Sequence, residues 1–480
     1  MSGAAFVLAA AGAGFVAAQI ATLFRILLRE RRTPAARLAW IICVVALPGV
    51  GILLYFLFGE VDFGRRKLRQ LKAIEARLPR AVPGVAPPAR ERLPAAQAFA
   101  RAAAANGFAP VAGNRATLAA SSEDAIRRLV ADIDAATESV HLLFYIWLED
   151  DNGRAVLDAV RRAAGRGVTC RVMVDALGSR KLTQSPAWAA LAEAGVRTGL
   201  AFGFRFALLH MFFARVDIRN HRKIAVIDGR IAYVGSQNCA DAAFRPKARY
   251  APWVDVMARV EGPVAWQLQC LFAEDWELHA GEDLRDLLAA PVAPVPGGAV
   301  TAVAMGTGPD DAFADVPDTA TLLFAAARER LTITTPYYVP SETVQQAICA
   351  AALRGVAVDL VLPARNDSLV VGLASRSYFR QLLAAGVRIH EYPGGLLHAK
   401  IVSIDGQAAM IGSANLDRRS FELNFESSLL AADGGFVGAL DARQADYIAR
   451  AERVAQADVA AWSQGRRALQ NLMATMAPLL

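Results

Sequence analysis

An eighteen-residue pattern occurs twice in this chain. The first copy is His221-x-Lys223-x4-Asp228-Gly229, followed by Gly235-Ser236-x-Asn238. The second is His398-x-Lys400-x4-Asp405-Gly406, followed by Gly412-Ser413-x-Asn415. Spacing is identical in the two copies, and the surrounding elements recur in the same order. An apolar strand-like run at 140–147, a helical pattern, Arg166-Gly167-Val168 and a second strand at 170–175 lead to LAEAGV at 191–196. The later half repeats this with 331–338, a helical pattern, Arg354-Gly355-Val356, 358–363 and LLAAGV at 382–387. Strands alternating with helical stretches predict α/β units. A duplication of this kind predicts two copies of one unit about a pseudo-two-fold axis.

The motif has a geometric meaning. His and Lys two apart on a strand project from one face, and Asp-Gly marks a tight hairpin turn. If each Asp-Gly is a two-residue turn, Ser236 falls opposite His221 and Ser413 opposite His398. Each half then offers an imidazole, an ammonium and a hydroxyl on one surface, with Asn238 or Asn415 just beyond. Two such faces meeting across the axis would suit a phosphodiester. Lysines and neutral donors stabilise the developing charge, while one imidazole attacks phosphorus and the other protonates the leaving alkoxide. The candidate catalytic set is His221, Lys223, Asp228, His398, Lys400 and Asp405. Asp228 and Asp405, at strand ends, are given a structural or hydrogen-bonding role within it. Ser236, Asn238, Ser413 and Asn415 are candidate phosphate donors. Spacing alone leaves open which histidine attacks. No metal or other cofactor is expected.

Composition narrows the partner. The chain has 480 residues, 55% of them hydrophobic, and a net charge of +7. It is too apolar for a disordered chain, and the charge favours an anionic partner. Five cysteines without a CxxC pair offer neither a disulfide scaffold nor a zinc ribbon. Residues 2–24 and 38–58 carry no charge, and each run is long enough to cross a hydrocarbon core. Pro48 is tolerable in such a helix. A two-helix transmembrane hairpin is therefore expected at the N-terminus. The intervening loop holds four arginines, and the segment after the second run holds seven basic residues between Arg65 and Arg80. That excess weakly favours a cytoplasmic C-terminal part. Pro-rich stretches at 78–88 and 291–298 punctuate the remainder. The expected division is 1–60 hairpin, 61–109 basic and Pro-rich linker, 110–290 first domain, 291–299 linker and 300–480 second domain.

These motifs resemble the phospholipase D superfamily, whose hallmark is a duplicated HKD motif. Further segments are similar to those of its bacterial cardiolipin synthases: the hairpin ending at Tyr55–Gly59, Arg219–Lys223, Thr335–Pro340, Asn415–Phe421, Asn424–Glu426 and Pro478–Leu480. The resemblance implies two phospholipase D-like α/β domains, with mixed sheets flanked by helices. It implies transfer of a phosphatidyl group from one phosphatidylglycerol to another, with release of glycerol. It also implies His221 as the nucleophile that forms a phosphohistidine, His398 as general acid and then base, and an acid behind each histidine, by position Asp255 and Glu426. Related enzymes often carry Arg where this chain has Val254. The expected partners are phosphatidylglycerol and anionic membrane lipid, not nucleic acid, and the expected location is the cell membrane. Competing functions are a phospholipase D hydrolase or another phosphatidyltransferase, then a nuclease, then a lipid-binding scaffold.

One difference between the repeats bears on substrate class. From LAEAGV to His221 takes 26 residues, against 12 from LLAAGV to His398. The extra stretch contains Phe202, Phe204, Phe206, Leu208, Leu209, Met211, Phe212 and Phe213, with Arg205 and Arg215. An interfacial or acyl-lining segment is expected there, against an ordinary core strand and helix. Other candidates read as structural. His141, His210, His279 and His390 lie outside the motifs, and His141 is expected as a satisfied core residue. Cys239 reads as a small buried side chain, Asp417-Arg418-Arg419 as a salt-bridged run, and Asp310, Asp311 and Asp315 as a solvated loop. Tyr145 and Tyr337, near matching strand ends, could touch a headgroup or simply pack.

Overall fold

The structure, a computed structural model, describes residues 3–29, 33–60, 63–89, 93–203, 217–309 and 315–475. A sheet of sixteen strands forms its framework. The first half supplies β1 (Val111–Leu118), β2 (Ser139–Phe144), β3 (Thr169–Asp175), β4 (Arg197–Ala201), β5 (Ile224–Ile227), β6 (Ile231–Gly235) and β7 (Met257–Glu261). The second supplies β8 (Val300–Thr307), β9 (Arg330–Thr334), β10 (Ala357–Pro363), β11 (Arg388–Tyr392), β12 (Ile401–Ile404), β13 (Ala408–Gly412) and β14 (Asn424–Ala432). The order is β4-β3-β2-β5-β6-β7-β1-β8-β14-β13-β12-β9-β10-β11, with Glu452–Arg453 beyond β11.

That order reads the same from either end, as a pseudo-two-fold through the β1–β8 pair requires. β1 and β8 run antiparallel, with Val111 opposite Ala302 and Asn114 opposite Val300. Asn114 is fully buried at the seam. Its amide nitrogen donates to the carbonyls of Val111 and Val300, and its oxygen accepts from Val264 N at 2.8 Å. The two tandem repeats share one continuous sheet. The described residues within 66–203 and 218–475 form one compact unit.

Within each half the central strands are parallel, β2 with β3 and β9 with β10. Strands covered on both faces read as continuous apolar runs, and Val140, Leu142, Leu143 and Phe144 of β2 are all buried. Helices pack outside. Ser121 and Asp150 cap two of them by accepting from Asp124 N and Gly153 N, each cap being worth about 1 kcal/mol. Pro263–Ala280 is buried from residue 263 to 278, and Gly434–Ala449 occupies the matching place after β14.

The N-terminal helices belong to a separate unit. Gly3–Leu28 is a single helix, and its Ala9–Leu28 portion is long and apolar enough to cross a membrane. Phe15, Ile20, Phe24 and Leu27 on it are exposed. The second apolar run departs from expectation, because it is not one helix. Pro34–Ala46 ends before Pro48, Gly49 takes φ +81°, and Val50–Leu54 continues into a π-helical turn at Tyr55–Gly59. Proline cannot supply the backbone N–H that a continuous helix needs. The two shorter helices pack closely, and a Cβ on Gly51 would meet the Cys43 carbonyl at 2.3 Å. Glu60 closes this unit, accepting from Arg25 Nε at 2.5 Å and from the Tyr55 hydroxyl at 2.8 Å.

Candidate active site

Each motif begins where its strand leaves the sheet. β5 starts at Ile224 and β12 at Ile401, so His221–Lys223 and His398–Lys400 lie beyond the regular ladder. There each motif is stitched to the opposite half. Arg219–Asn220 pairs in parallel with Asn424–Phe425, and Leu396–Leu397 with Trp253–Val254. His221 N donates to Phe425 O and His398 N to Val254 O, each at 2.8 Å. The next residues along the accepting segments are Glu426 and Asp255.

The acids therefore cross over. His398 Nδ1 lies 2.6 Å from Asp255 Oδ1, and His221 Nδ1 lies 3.2 Å from Glu426 Oε1. Each half thus supplies the carboxylate behind the other half's histidine. Burial opposes ionisation of both acids, but the opposing histidine and the motif lysines outweigh it and hold both pKa values below the usual range. Burial, with Lys223 beside it, pushes His221 down to about 4. Burial and Lys400 lower His398. A neutral imidazole facing a carboxylate carries its proton on Nδ1, which leaves the Nε2 lone pair free.

Burial also takes Lys223 down to about 8 and Lys400 to about 7. Each ammonium donates to its own histidine's carbonyl at 2.6 Å. The neighbouring rings differ. Tyr145 lies 4.4 Å from the His221 ring, while Trp253 lies 4.6 Å from that of His398.

Two sequence expectations change here. The hairpins pair Ile227 with Ile231 and Ile404 with Ala408, so each loop has three residues rather than two. Asp228 and Asp405 take positive φ of 48° and 52°, each followed by a glycine that does the same. Extending that register sets Gln237, not Ser236, opposite His221. The serines are also not free phosphate donors. Ser236 Oγ donates to Asp255 Oδ1 at 2.6 Å and accepts from Val256 N. Ser413 Oγ donates to Glu426 Oε2 and accepts from Ser427 N. Both are fully buried, and their hydroxyls hold the carboxylates that hold the histidines.

Asp228 and Asp405 sit at the far ends of their strands. Asp228 accepts the backbone N–H groups of Thr137, Glu138 and Ser139, and Asp405 those of Arg328, Glu329 and Arg330. They pin the hairpins to the strands beside them. Asn238 Oδ1 accepts from Ile146 N at 3.1 Å, and Asn415 Nδ2 approaches Ser420 Oγ at 3.2 Å. Asp417 caps the next helix through Ser420 N, and burial raises its pKa to about 6.

Sequence reasoning gave no role to the buried charges under His221. Arg222 is 2% exposed, with Asp275 at 2.8 Å and Glu274 at 3.4 Å, and its Nε donates to Glu426 O. Asp175 accepts from Asn220 N and lies 3.8 Å from Arg219. The matching residues in the second half, Leu396, Leu397 and Ala399, are uncharged. That contrast between the repeats was the available signal.

Among the remaining candidates, His141 is satisfied by Gln269 and Arg171, and His390 by Asp359. Cys239 is buried. Tyr337 donates to Asp367 at 2.7 Å. Phe202 lies 5.5 Å from the Phe425 ring and 4.7 Å from that of His279. The rest of the apolar insertion, from Phe204 through Phe213 with Arg205, His210 and Arg215, lies outside the described residues, as do Asp310 and Asp311. Asp315 pairs with Arg101. Among the described residues no cluster of three or more His, Cys, Asp or Glu could hold a metal ion.

The family model described as cardiolipin synthase, PLD-like domain, matches residues 129–276 and 322–445. That of the phospholipase D-nuclease N-terminal segment matches 17–60. The chain is 37% identical over 470 residues to cardiolipin synthase A of Klebsiella pneumoniae strain 342, covering 95% of each. It is 38% identical over 469 residues to cardiolipin synthase A of Edwardsiella ictaluri, again covering 95% of each. Among solved structures it is similar to phosphatidylserine synthase of Haemophilus influenzae Rd KW20, with TM-score 0.59 and 13% identity, covering 80% of this chain and 98% of that one. This last likeness concerns the fold.

Proposed function

The chain belongs to the phospholipase D-like cardiolipin synthases, and on that premise we propose that His221 and His398 transfer a phosphatidyl group between two phosphatidylglycerols. It is a phosphatidyltransferase. The crossed pairs His221–Glu426 and His398–Asp255 carry the assignment of roles. A shorter contact to a carboxylate favours the protonated imidazole more strongly. His398, at 2.6 Å from Asp255, suits the general acid. His221, at 3.2 Å from Glu426 and pushed down to about 4, suits the nucleophile.

In the first step His221 Nε2 attacks phosphorus and the P–O bond to the headgroup glycerol breaks. His398 gives its proton to the departing alkoxide, so glycerol leaves and phosphohistidine remains. In the second, neutral His398 takes the proton of a second phosphatidylglycerol's headgroup hydroxyl. That oxygen attacks phosphorus and the P–N bond breaks, which yields cardiolipin and restores both imidazoles. Lys223, Lys400, Asn238 and Asn415 stabilise the charge that grows on the phosphoryl oxygens. Ser236, Ser413, Asp255 and Glu426 orient the histidines, and Asp228 and Asp405 hold the hairpins. The apolar N-terminal segment anchors the enzyme. Seven basic residues after the second run, against four before it, support a hairpin with the catalytic unit on the cytoplasmic side. The partner is anionic lipid rather than nucleic acid.

Product analysis tests the reading. The protein in mixed micelles with phosphatidylglycerol is followed by mass spectrometry, alongside His221→Ala and His398→Ala. Cardiolipin and glycerol, lost in both variants, are expected. Phosphatidic acid as the main product would mean that water is the acceptor.

A further inference from the structure

A basic cleft lies in the last part of the chain, built from residues the reaction does not use. It has a volume of about 410 Å³, and its lining includes Arg376, Arg380, Arg467, Trp462 and Gln470. The helix Leu369–Ser377 carries Arg376, Phe379–Ala384 carries Arg380, and Gln464–Thr475 carries Arg467 and Gln470. Arg376 is spent, donating to Glu391 at 2.6 Å and to the Gly372 carbonyl. The side chains of Arg380 and Arg467 have no hydrogen-bond or ion-pair partner among the described residues, and no described carboxylate lines the cleft. Gln470 is 2% exposed, yet its Nε2 is buried without a partner. Arg466 stacks over Trp462 at 4.1 Å, adding positive charge beside the cleft.

Two unpaired guanidiniums suit a phosphate oxyanion. The helix that carries Arg467 and Gln470 also bears two outward leucines one turn apart, Leu469 at 46% and Leu472 at 56% exposed. A basic helix with exposed leucines is the pattern of an interfacial segment. We propose that this cleft is a non-catalytic site for the phosphate headgroup of an anionic phospholipid, whose acyl chains lie over Leu469 and Leu472. A phospholipid anion satisfies the charge and the apolar face together. Free phosphate answers only the first.

The test is native mass spectrometry of the full chain in dodecyl maltoside. A His221→Ala background prevents turnover and leaves the cleft intact. The probes are dioctanoyl phosphatidylglycerol, dioctanoyl phosphatidylcholine and inorganic phosphate. Each basic side chain near a lipid phosphate surface is worth about a fivefold factor in binding. Arg380→Gln with Arg467→Gln should therefore remove one phosphatidylglycerol equivalent by weakening it roughly 30-fold. Arg380→Glu, a charge reversal at an exposed position, should do the same without disturbing the fold. Leu469→Ser with Leu472→Ser should weaken the lipid and leave inorganic phosphate unaffected. Unchanged lipid stoichiometry and affinity in both arginine variants would overturn the proposal. Equal occupancy by phosphatidylcholine would also overturn it, as would phosphatidylglycerol binding that ignores the leucine substitutions.

Discussion

Replacing Asp255 by Asn separates the two histidines by role. The substitution keeps the side chain's shape and removes its charge. Asp255 Oδ1 takes hydrogen bonds from His398 Nδ1 and Ser236 Oγ, both at 2.6 Å. A hydrogen bond to a charged group is worth about 1.5–3 kcal/mol. Losing the one that favours imidazolium His398 should slow departure of the headgroup by roughly 10- to 150-fold, at 1.36 kcal/mol per decade. Within the first step, up to phosphohistidine, the loss should fall on proton donation to the leaving group. A phosphodiester with a p-nitrophenyl leaving group needs no proton, so Asp255→Asn and His398→Ala should form phosphohistidine from it at near the wild-type rate. Glu426→Gln and His221→Ala should stay impaired on both substrates. The pH profile supplies a second sign. A general acid works while protonated, so first-step activity falls as pH rises through the His398 pKa. Burial and Lys400 already lower that pKa and Asp255 holds it up, so Asp255→Asn should move the limb to lower pH. The assay is rapid-quench single turnover with both substrates across pH. Equal losses for Asp255→Asn and Glu426→Gln on the activated diester, or a limb that moves to higher pH, would refute the crossed assignment.

Three further outcomes are expected. Lys400, pushed down to about 7 mainly by burial, should lose its charge as pH rises through neutrality. KM for the diester should then climb above about pH 7, and Lys400→Arg should flatten that climb because a guanidinium stays charged. Arg222→Met removes a buried cation that pairs with Asp275 and Glu274 and should cost about 3–5 kcal/mol in denaturant unfolding. Adding Glu274→Gln and Asp275→Asn should recover most of that. Asp228→Ala removes the acceptor for three backbone N–H groups, a loss of up to about 3 kcal/mol at ~1 kcal/mol each, with single-turnover chemistry little changed while the protein stays folded. Those N–H groups depress the Asp228 pKa in the folded state despite burial. Its contribution is therefore present above the unfolded value of about 3.9 and is lost as pH falls through the lower folded one. Wild type and Asp228→Ala should converge in stability under acid.

The family resemblance pointed to Asp255 and Glu426, whereas the sequence alone determined the duplication, the α/β character, and the histidines and lysines of the two motifs. Those follow from residue identity and spacing, which a repeat displays twice. The role of Asp228 and Asp405 was legible too, because a carboxylate at a strand end beside glycine belongs to a turn. Hairpin register was not legible. An Asp-Gly pair serves two- and three-residue loops alike, and a shift of one residue changes every partner. The break after Ala46 was signalled by Pro48-Gly49, but composition cannot say whether proline kinks an apolar helix or ends it. The buried charges around Arg222 were hidden because Glu274 and Asp275 sit 52 and 53 residues away, on a helix whose facing only packing decides. The crossing of acids lay furthest from the sequence. Asp255 is 34 residues after His221 in the chain, yet it serves His398, 143 residues away. Only the pseudo-two-fold decided that, because antiparallel pairing of β1 with β8 turns the halves so that each histidine's backbone N–H meets the carbonyl preceding the other half's acid.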